Sequence, residues 1–157
     1  MAEALPLLGC RPRVVGMGQQ RYDLGDCEAV ISAGFAGACQ SWLEPGDVVL
    51  AGSYEPVLKA ALRAADGEIR TVDHIASPAE KAHLGRTGIA AVDMETRWLR
   101  EAAESRPVPF LGIRVVIDGL GDRAAGLAAA AHYPLAALRL RRAVCRALEL
   151  WPGKAGR

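Results

Sequence analysis

Apolar residues fall along this chain in short runs, each closed by glycine, proline or acidic residues. Val14-Val15 and the run at 29–32 end at Gly16-Met17-Gly18 and Gly34-Phe35-Ala36-Gly37. Such runs predict buried strands of a mostly parallel sheet, each leaving through a glycine turn. Glu44-Pro45-Gly46-Asp47 is a turn signal ahead of a third strand at 48–51. The spacing then changes to a helical one: apolar positions 57, 58, 61, 62 and 65 predict a helix over 55–65, with a strand at 69–72 after it. Ser77-Pro78-Ala79-Glu80 sets a capping serine before a proline at the first helical position and a glutamate three residues on. That capping box predicts a helix to about residue 87, ended by Gly88.

A strand at 89–92 feeds Ala91-Val92-Asp93-Met94-Glu95. The next helix, 96–104, has Trp98, Leu99, Ala102 and Ala103 as its apolar stripe and stops before Pro107 and Pro109. A strand at 110–117 follows, completing a β-α-β unit with an expected right-handed crossover. If its two strands are parallel neighbours, Asp93, Glu95 and Asp118 emerge along one edge of the sheet, where open α/β sheets bind ligands. The Gly/Ala-rich stretch at 119–131 reads as a loop of the kind that forms mobile lids. The longest helix is expected over 135–150, with Arg139, Arg142 and Arg146 on a solvated face. No repeat or low-complexity linker interrupts the pattern, so 1–157 reads as a single α/β domain.

Composition narrows the function. A chain of 157 residues is one domain, able to bury roughly two-thirds of its unfolded surface. Only 5% of it is aromatic against 51% hydrophobic, so Ala, Leu and Val must build the core. A net charge of +1 argues against a nucleic-acid footprint, which needs clustered Lys and Arg; small ligands or protein partners fit better. Cys10, Cys27, Cys39 and Cys145 show no C-x-x-C or Cys/His spacing and are expected as reduced, buried thiols. His74, His83 and His132 form no metal spacing, so no metal is expected. With no secretion signal and no apolar run of the ~20 residues a bilayer span needs, the expectation is a cytoplasmic protein without membrane contact. Gly16-Met17-Gly18-Gln19-Gln20 lacks the third glycine and the helical pattern of a dinucleotide-binding turn.

Taken singly, the acidic residues have plain structural readings. Asp118-Gly119 is an ordinary turn pair, Glu95 at a helix start suits the macrodipole, Asp93 is expected to cap that helix, and Arg114 to be an ion-pair partner. Together the blocks say more. Val30-Ile31-Ser32-Ala33-Gly34-Phe35-Ala36-Gly37, Glu44-Pro45-Gly46-Asp47-Val48-Val49, Ala91-Val92-Asp93-Met94-Glu95 and the stretch 107–118, with Pro109-Phe110 and Arg114 inside it, resemble four consecutive motifs of the nucleoside phosphorylase and nucleosidase superfamily in order and spacing. Ser77-Pro78-Ala79-Glu80-Lys81 ahead of them is similar to the hopanoid-associated phosphorylase branch, with methylthioadenosine/adenosylhomocysteine nucleosidases more distant.

The resemblance implies a three-layer α-β-α fold around a central, mostly parallel but mixed sheet. It implies cleavage of the N-glycosidic bond of a purine nucleoside or adenosyl compound by water or phosphate. Breaking that bond makes the sugar oxocarbenium-like, so the site needs an acid for the departing base and negative charge near the ribose. By the family pattern Asp118 is the catalytic acid on the purine nitrogen, a task that calls for a raised pKa. Glu95 binds the ribose hydroxyls, Met94 packs on the sugar, Phe35 and Gly34 approach the base, and Gly18 lines the phosphate or nucleophile site. Arg21 is the basic residue nearest that turn. No cofactor is implied, although phosphate is the alternative co-substrate to water.

The chain also departs from the pattern. It opens at Met1-Ala2-Glu3-Ala4-Leu5, inside what the family makes its first helix, so the fold is expected to be trimmed at the N-terminus. Glu3 is the residue nearest the place of the water-activating carboxylate, and Ile117 stands where the family has a small hydroxyl residue. A trimmed sheet exposes an edge, which a partner chain would cover, hence an expected homo-oligomer, a dimer. The alternative is a catalytically impaired nucleoside- or base-binding protein of the same fold.

Overall fold

The computed structural model describes residues 20–122 and 125–150. The strand at Val14-Val15, Gly18 and Glu3 therefore lie outside the described residues. Within them are five strands, β1 (Val30–Ala38), β2 (Val48–Gly52), β3 (Glu68–Thr71), β4 (Ile89–Asp93) and β5 (Phe110–Asp118), and four helices, α1 (Pro56–Leu62), α2 (Pro78–Arg86), α3 (Thr96–Glu104) and α4 (Ala125–Leu150). The strands form one mixed sheet in the order β2-β5-β1-β4-β3. β1 runs parallel to β5 and β3 to β4, while β1–β4 and β2–β5 are antiparallel. Helices flank the sheet, as the expected α/β architecture requires.

Local chemistry explains most of the elements. Ser77 Oγ accepts a hydrogen bond from the Glu80 N–H at 3.2 Å, capping α2 as expected. The Glu80 carboxylate meets His74 Nε2 at 2.9 Å, an engagement the capping-box reading did not anticipate. The turn before β2 is fastened by Asp47 Oδ2 accepting from the Glu44 N–H at 2.9 Å, with Gly46 at φ 101°. Helix α1 is shorter than the spacing predicts because Arg63 adopts a left-handed conformation and Ala65 bridges to Val49 at the sheet edge.

Three expectations are corrected. β4 and β5 are not neighbours: β1 lies between them, paired with β5 from Val30↔Phe110 to Gly37↔Asp118, and β4 meets only its end. The β-α-β unit around α3 thus joins antiparallel, non-adjacent strands, and Asp93 and Asp118 do not leave one edge together. Gly34-Phe35-Ala36-Gly37 is strand rather than turn, because β5 supplies hydrogen-bonding partners along this whole stretch. The segment from 125 to 131 is already α4 rather than a lid, since its alanines favour helix strongly enough to carry the element past Pro134.

The core lies on both faces of the sheet. Leu111, Ile113 and Val115 alternate toward α1 and α4, meeting Leu58, Leu140 and Val144. On the other face Val116 packs with Ala36, Val49, Ile69 and Ala90. Burying each large aliphatic side chain stabilises the fold by about 1.5–3 kcal/mol. Leu99 and Ala103 seat α3 against Phe110.

Candidate functional site

A cavity of about 320 Å³ opens along β1 from Ser32 to Gly37, walled by the ends of β4 and β5 and by the β3–α2 connection. This size suits a small organic ligand. A larger cavity, about 650 Å³ between α1 and α4, is lined by arginines such as Arg139, Arg142 and Arg146, with no carboxylate. The first is therefore the candidate site.

Two buried ion pairs form its polar floor. Arg114, 1% exposed, donates from Nε to Asp93 Oδ2 at 2.7 Å and from its other nitrogens to the Ser32 carbonyl and Oγ, both at 2.9 Å. A Cβ at Gly34 would stand 3.5 Å from the guanidinium carbon, in ordinary van der Waals contact. Asp93 also accepts from the Thr96 N–H at 2.9 Å, from Thr71 Oγ1 at 2.7 Å and from Thr96 Oγ1. It thus ties the start of α3 to β3 and β5, and Arg114 is the structural partner that the sequence suggested. Burial would raise the Asp93 pKa, but the Arg114 guanidinium and the threonine hydrogen bonds outweigh it and hold the carboxyl below its ordinary value.

Asp118 is built differently. A one-residue bulge between Ala36 and Gly37 sets it opposite Gly37, and bulges commonly re-aim a side chain beside a site. Its Oδ2 accepts from Lys81 Nζ of α2, a lysine only 3% exposed. Gly37 is what lets them meet: a Cβ there would stand 2.8 Å from Lys81 Nζ and 3.0 Å from Asp118 Oδ1.

Asp118, Glu95, Met94, Phe35 and Gly34 all line this one cavity, so the structure brings together the five candidate residues that it describes. Gly18 lies outside the described residues. Phe35 packs against Tyr133 of α4, with ring centroids 5.4 Å apart and planes tilted by 58°. Ile117, beside the acid, offers its carbonyl to His132 Nδ1 at 3.2 Å.

Lys81, His74 and Ile75 are what the sequence reading missed. Lysine patterns as a surface residue, and only burial without a second partner would mark it. His74 lies at the rim between Asp73 and Glu80, whose hydrogen bonds raise its pKa. Ile75 is 74% exposed beside it. The Tyr22 hydroxyl is buried with no hydrogen-bond partner among the described residues, and burial first, then Glu95, pushes its pKa up. Of the cysteines, Cys39 is buried, while Cys27 and Cys145 are only partly so; all three are free thiols. No group of side chains among the described residues could hold a metal ion.

The sequence matches the family described as Phosphorylase superfamily over residues 55–149. None of the curated proteins matches it. Similar solved structures include the futalosine hydrolase of Helicobacter pylori strain 26695, at 17% identity and TM-score 0.67, over 78% of this chain and 68% of that one. The 5′-methylthioadenosine/S-adenosyl homocysteine nucleosidase of Helicobacter pylori is similar at 18% identity and TM-score 0.66, over 78% and 69%. The S-adenosylhomocysteine nucleosidase of Streptococcus pyogenes is similar at 22% and 0.65, over 78% and 67%. At such identities the likeness establishes the fold.

Proposed function

Because the chain belongs to the phosphorylase superfamily, we propose that it cleaves the N-glycosidic bond of a purine nucleoside or adenosyl compound, with Asp118 on the base and Glu95 on the ribose. The observation that supports this is one cavity of about 320 Å³ lined at once by both carboxylates, Met94 and Phe35. As the bond to the base breaks, positive charge develops on the ribose, where Glu95 lends negative charge and hydrogen-bond acceptors. The electron pair moves into the purine, and a proton from Asp118 on a ring nitrogen neutralises it. Phe35, backed by Tyr133, offers the base an aromatic face. The acceptor is water or phosphate.

The test is release of free base from a panel of purine nucleosides and adenosyl compounds, with and without phosphate. Asp118→Asn should lower kcat by at least about 100-fold, the usual reach of a general acid, and Glu95→Ala should lower turnover and raise KM. No base released by the native chain from any member of the panel would refute the proposal.

One observation favours the alternative, a nucleoside- or base-binding protein of the same fold: Asp118 is already engaged with Lys81. A nucleoside that raises Tm by mass action but yields no base would support that reading.

A further inference from the structure

We infer that Lys81 is a positioning residue for Asp118, holding one carboxylate oxygen so that the other faces the ligand, and stabilising the carboxylate left once Asp118 has given up its proton. The inference rests on the glycosidic-cleavage reading of the site. Lys81 is 3% exposed, and its ammonium meets Asp118 Oδ2. Oδ1 carries no hydrogen bond among the described residues, and Asp118 lines the cavity. The pair therefore presents one bound oxygen and one available to a ligand.

Stability alone explains this lysine poorly. It stands in the first turn of α2, three residues past Pro78, where the helix dipole disfavours a cation. Burying a lysine and an aspartate together loses about as much hydration as their attraction returns. Gly37 also leaves the space through which Lys81 reaches the acid. Each feature is unfavourable or neutral for folding, yet all of them bring a positive charge against Asp118.

In the reaction Asp118 first takes a proton from solvent on Oδ1; the C1′–N9 bond then breaks, its electron pair passes to the purine, and an oxygen of water or phosphate bonds C1′, water giving its proton back to solvent. A proton passes from Asp118 Oδ1 to a ring nitrogen, leaving Asp118 anionic. Lys81 keeps its three protons, and its charge stabilises that new anion. Lys81 is thus needed in proportion to how far the leaving group needs a proton.

A leaving group that departs as a stable anion separates this role from a structural one. The native protein, Lys81→Met and Lys81→Gln are compared on the best nucleoside of the panel and on p-nitrophenyl β-D-ribofuranoside, with Tm confirming the fold. Glutamine keeps an N–H for Oδ2 without the charge, so it carries the test if the methionine variant does not fold. The expected result is a kcat loss on the nucleoside of about tenfold or more in both variants, a part of the roughly 100- to 10,000-fold that acid catalysis supplies, with KM little changed and less than about threefold loss on the nitrophenyl riboside. Equal losses on both substrates, or none on the nucleoside, would overturn the role of Lys81 while leaving cleavage standing. Release of neither product by the native protein would instead overturn the cleavage reading, and this inference with it.

Discussion

Asp93 and Asp118 both end a strand and both face a buried cation, yet their surroundings assign them different work. Asp93 accepts from Arg114, Thr71 and Thr96 through both carboxylate oxygens, which leaves little for a ligand. Asp118 keeps Oδ1 open. Replacing Asp93 by alanine strands Arg114 in the interior and should cost about 3–5 kcal/mol in urea unfolding, the usual price of breaking a buried pair. Because the folded Asp93 pKa is lowered, its contribution is complete above the unfolded value of about 3.9 and is lost as pH falls through the lower folded one. Urea midpoints measured from pH 6 downward should fall more steeply for the native protein than for Asp93→Asn; parallel curves would contradict this. Burial, which outweighs the opposing effect of Lys81, pushes the Cys39 thiol up to about 11. At pH 8 iodoacetamide should therefore label Cys27 and Cys145 and spare Cys39 in the folded protein, as read by peptide mass spectrometry.

At the scale of elements, the site depends on how closely α2 lies against the ends of β1 and β4. Gly85 has no Cβ because the Cys39 carbonyl occupies that place, and Gln40 Nε2 donates to the Gly85 and Ile89 carbonyls, both at 2.9 Å. Gly85→Ala should push the helix away, lowering Tm and carrying Lys81 off Asp118, whereas Ser77→Ala should cost only about 1 kcal/mol for its lost cap. At the rim, His74 clamps the β3–α2 connection to Glu80. Its pKa is raised by Asp73 and then Glu80, so the clamp is fully formed below the unfolded value of about 6.5 and is lost as pH rises through the higher folded one. Hydrogen exchange at residues 73–76, corrected for the intrinsic rate, should quicken at pH 9 relative to pH 6, and less so in His74→Ala.

Much of this was legible in the sequence. Helix α3 runs from Thr96 to Glu104 as its stripe and flanking prolines predict, and Ser77 caps α2. What local pattern could not carry was strand pairing. Nothing between residues 89 and 118 says that β1 will insert between β4 and β5, because that depends on a partner some fifty residues upstream. Glycines 34 and 37 read as a turn, yet both lie inside a strand, where the missing side chain of Gly37 serves the close approach of Lys81. Lys81 itself stayed hidden, since charge in a helix signals solvent until the fold supplies its carboxylate.

For the whole molecule, a mixed sheet with covered faces leaves β2 and β3 as the edges among the described strands. No helix among the described residues is long and apolar enough to cross a membrane. Trp42, Tyr133, Leu135 and Leu138 nevertheless stay exposed, and apolar surface of this kind is commonly covered by association. We expect a dimer in sedimentation at micromolar concentration, weakened by Leu138→Glu; a monomeric native protein would count against it. A crystal structure of Asp118→Asn soaked with a purine nucleoside shows whether the cavity along β1 seats the nucleoside between the two carboxylates. The expected result is a ring nitrogen of the base within about 3 Å of the residue 118 side chain and the ribose hydroxyls on Glu95. A nucleoside bound instead in the arginine-lined cavity between α1 and α4, or with its sugar turned away from Glu95, would contradict it.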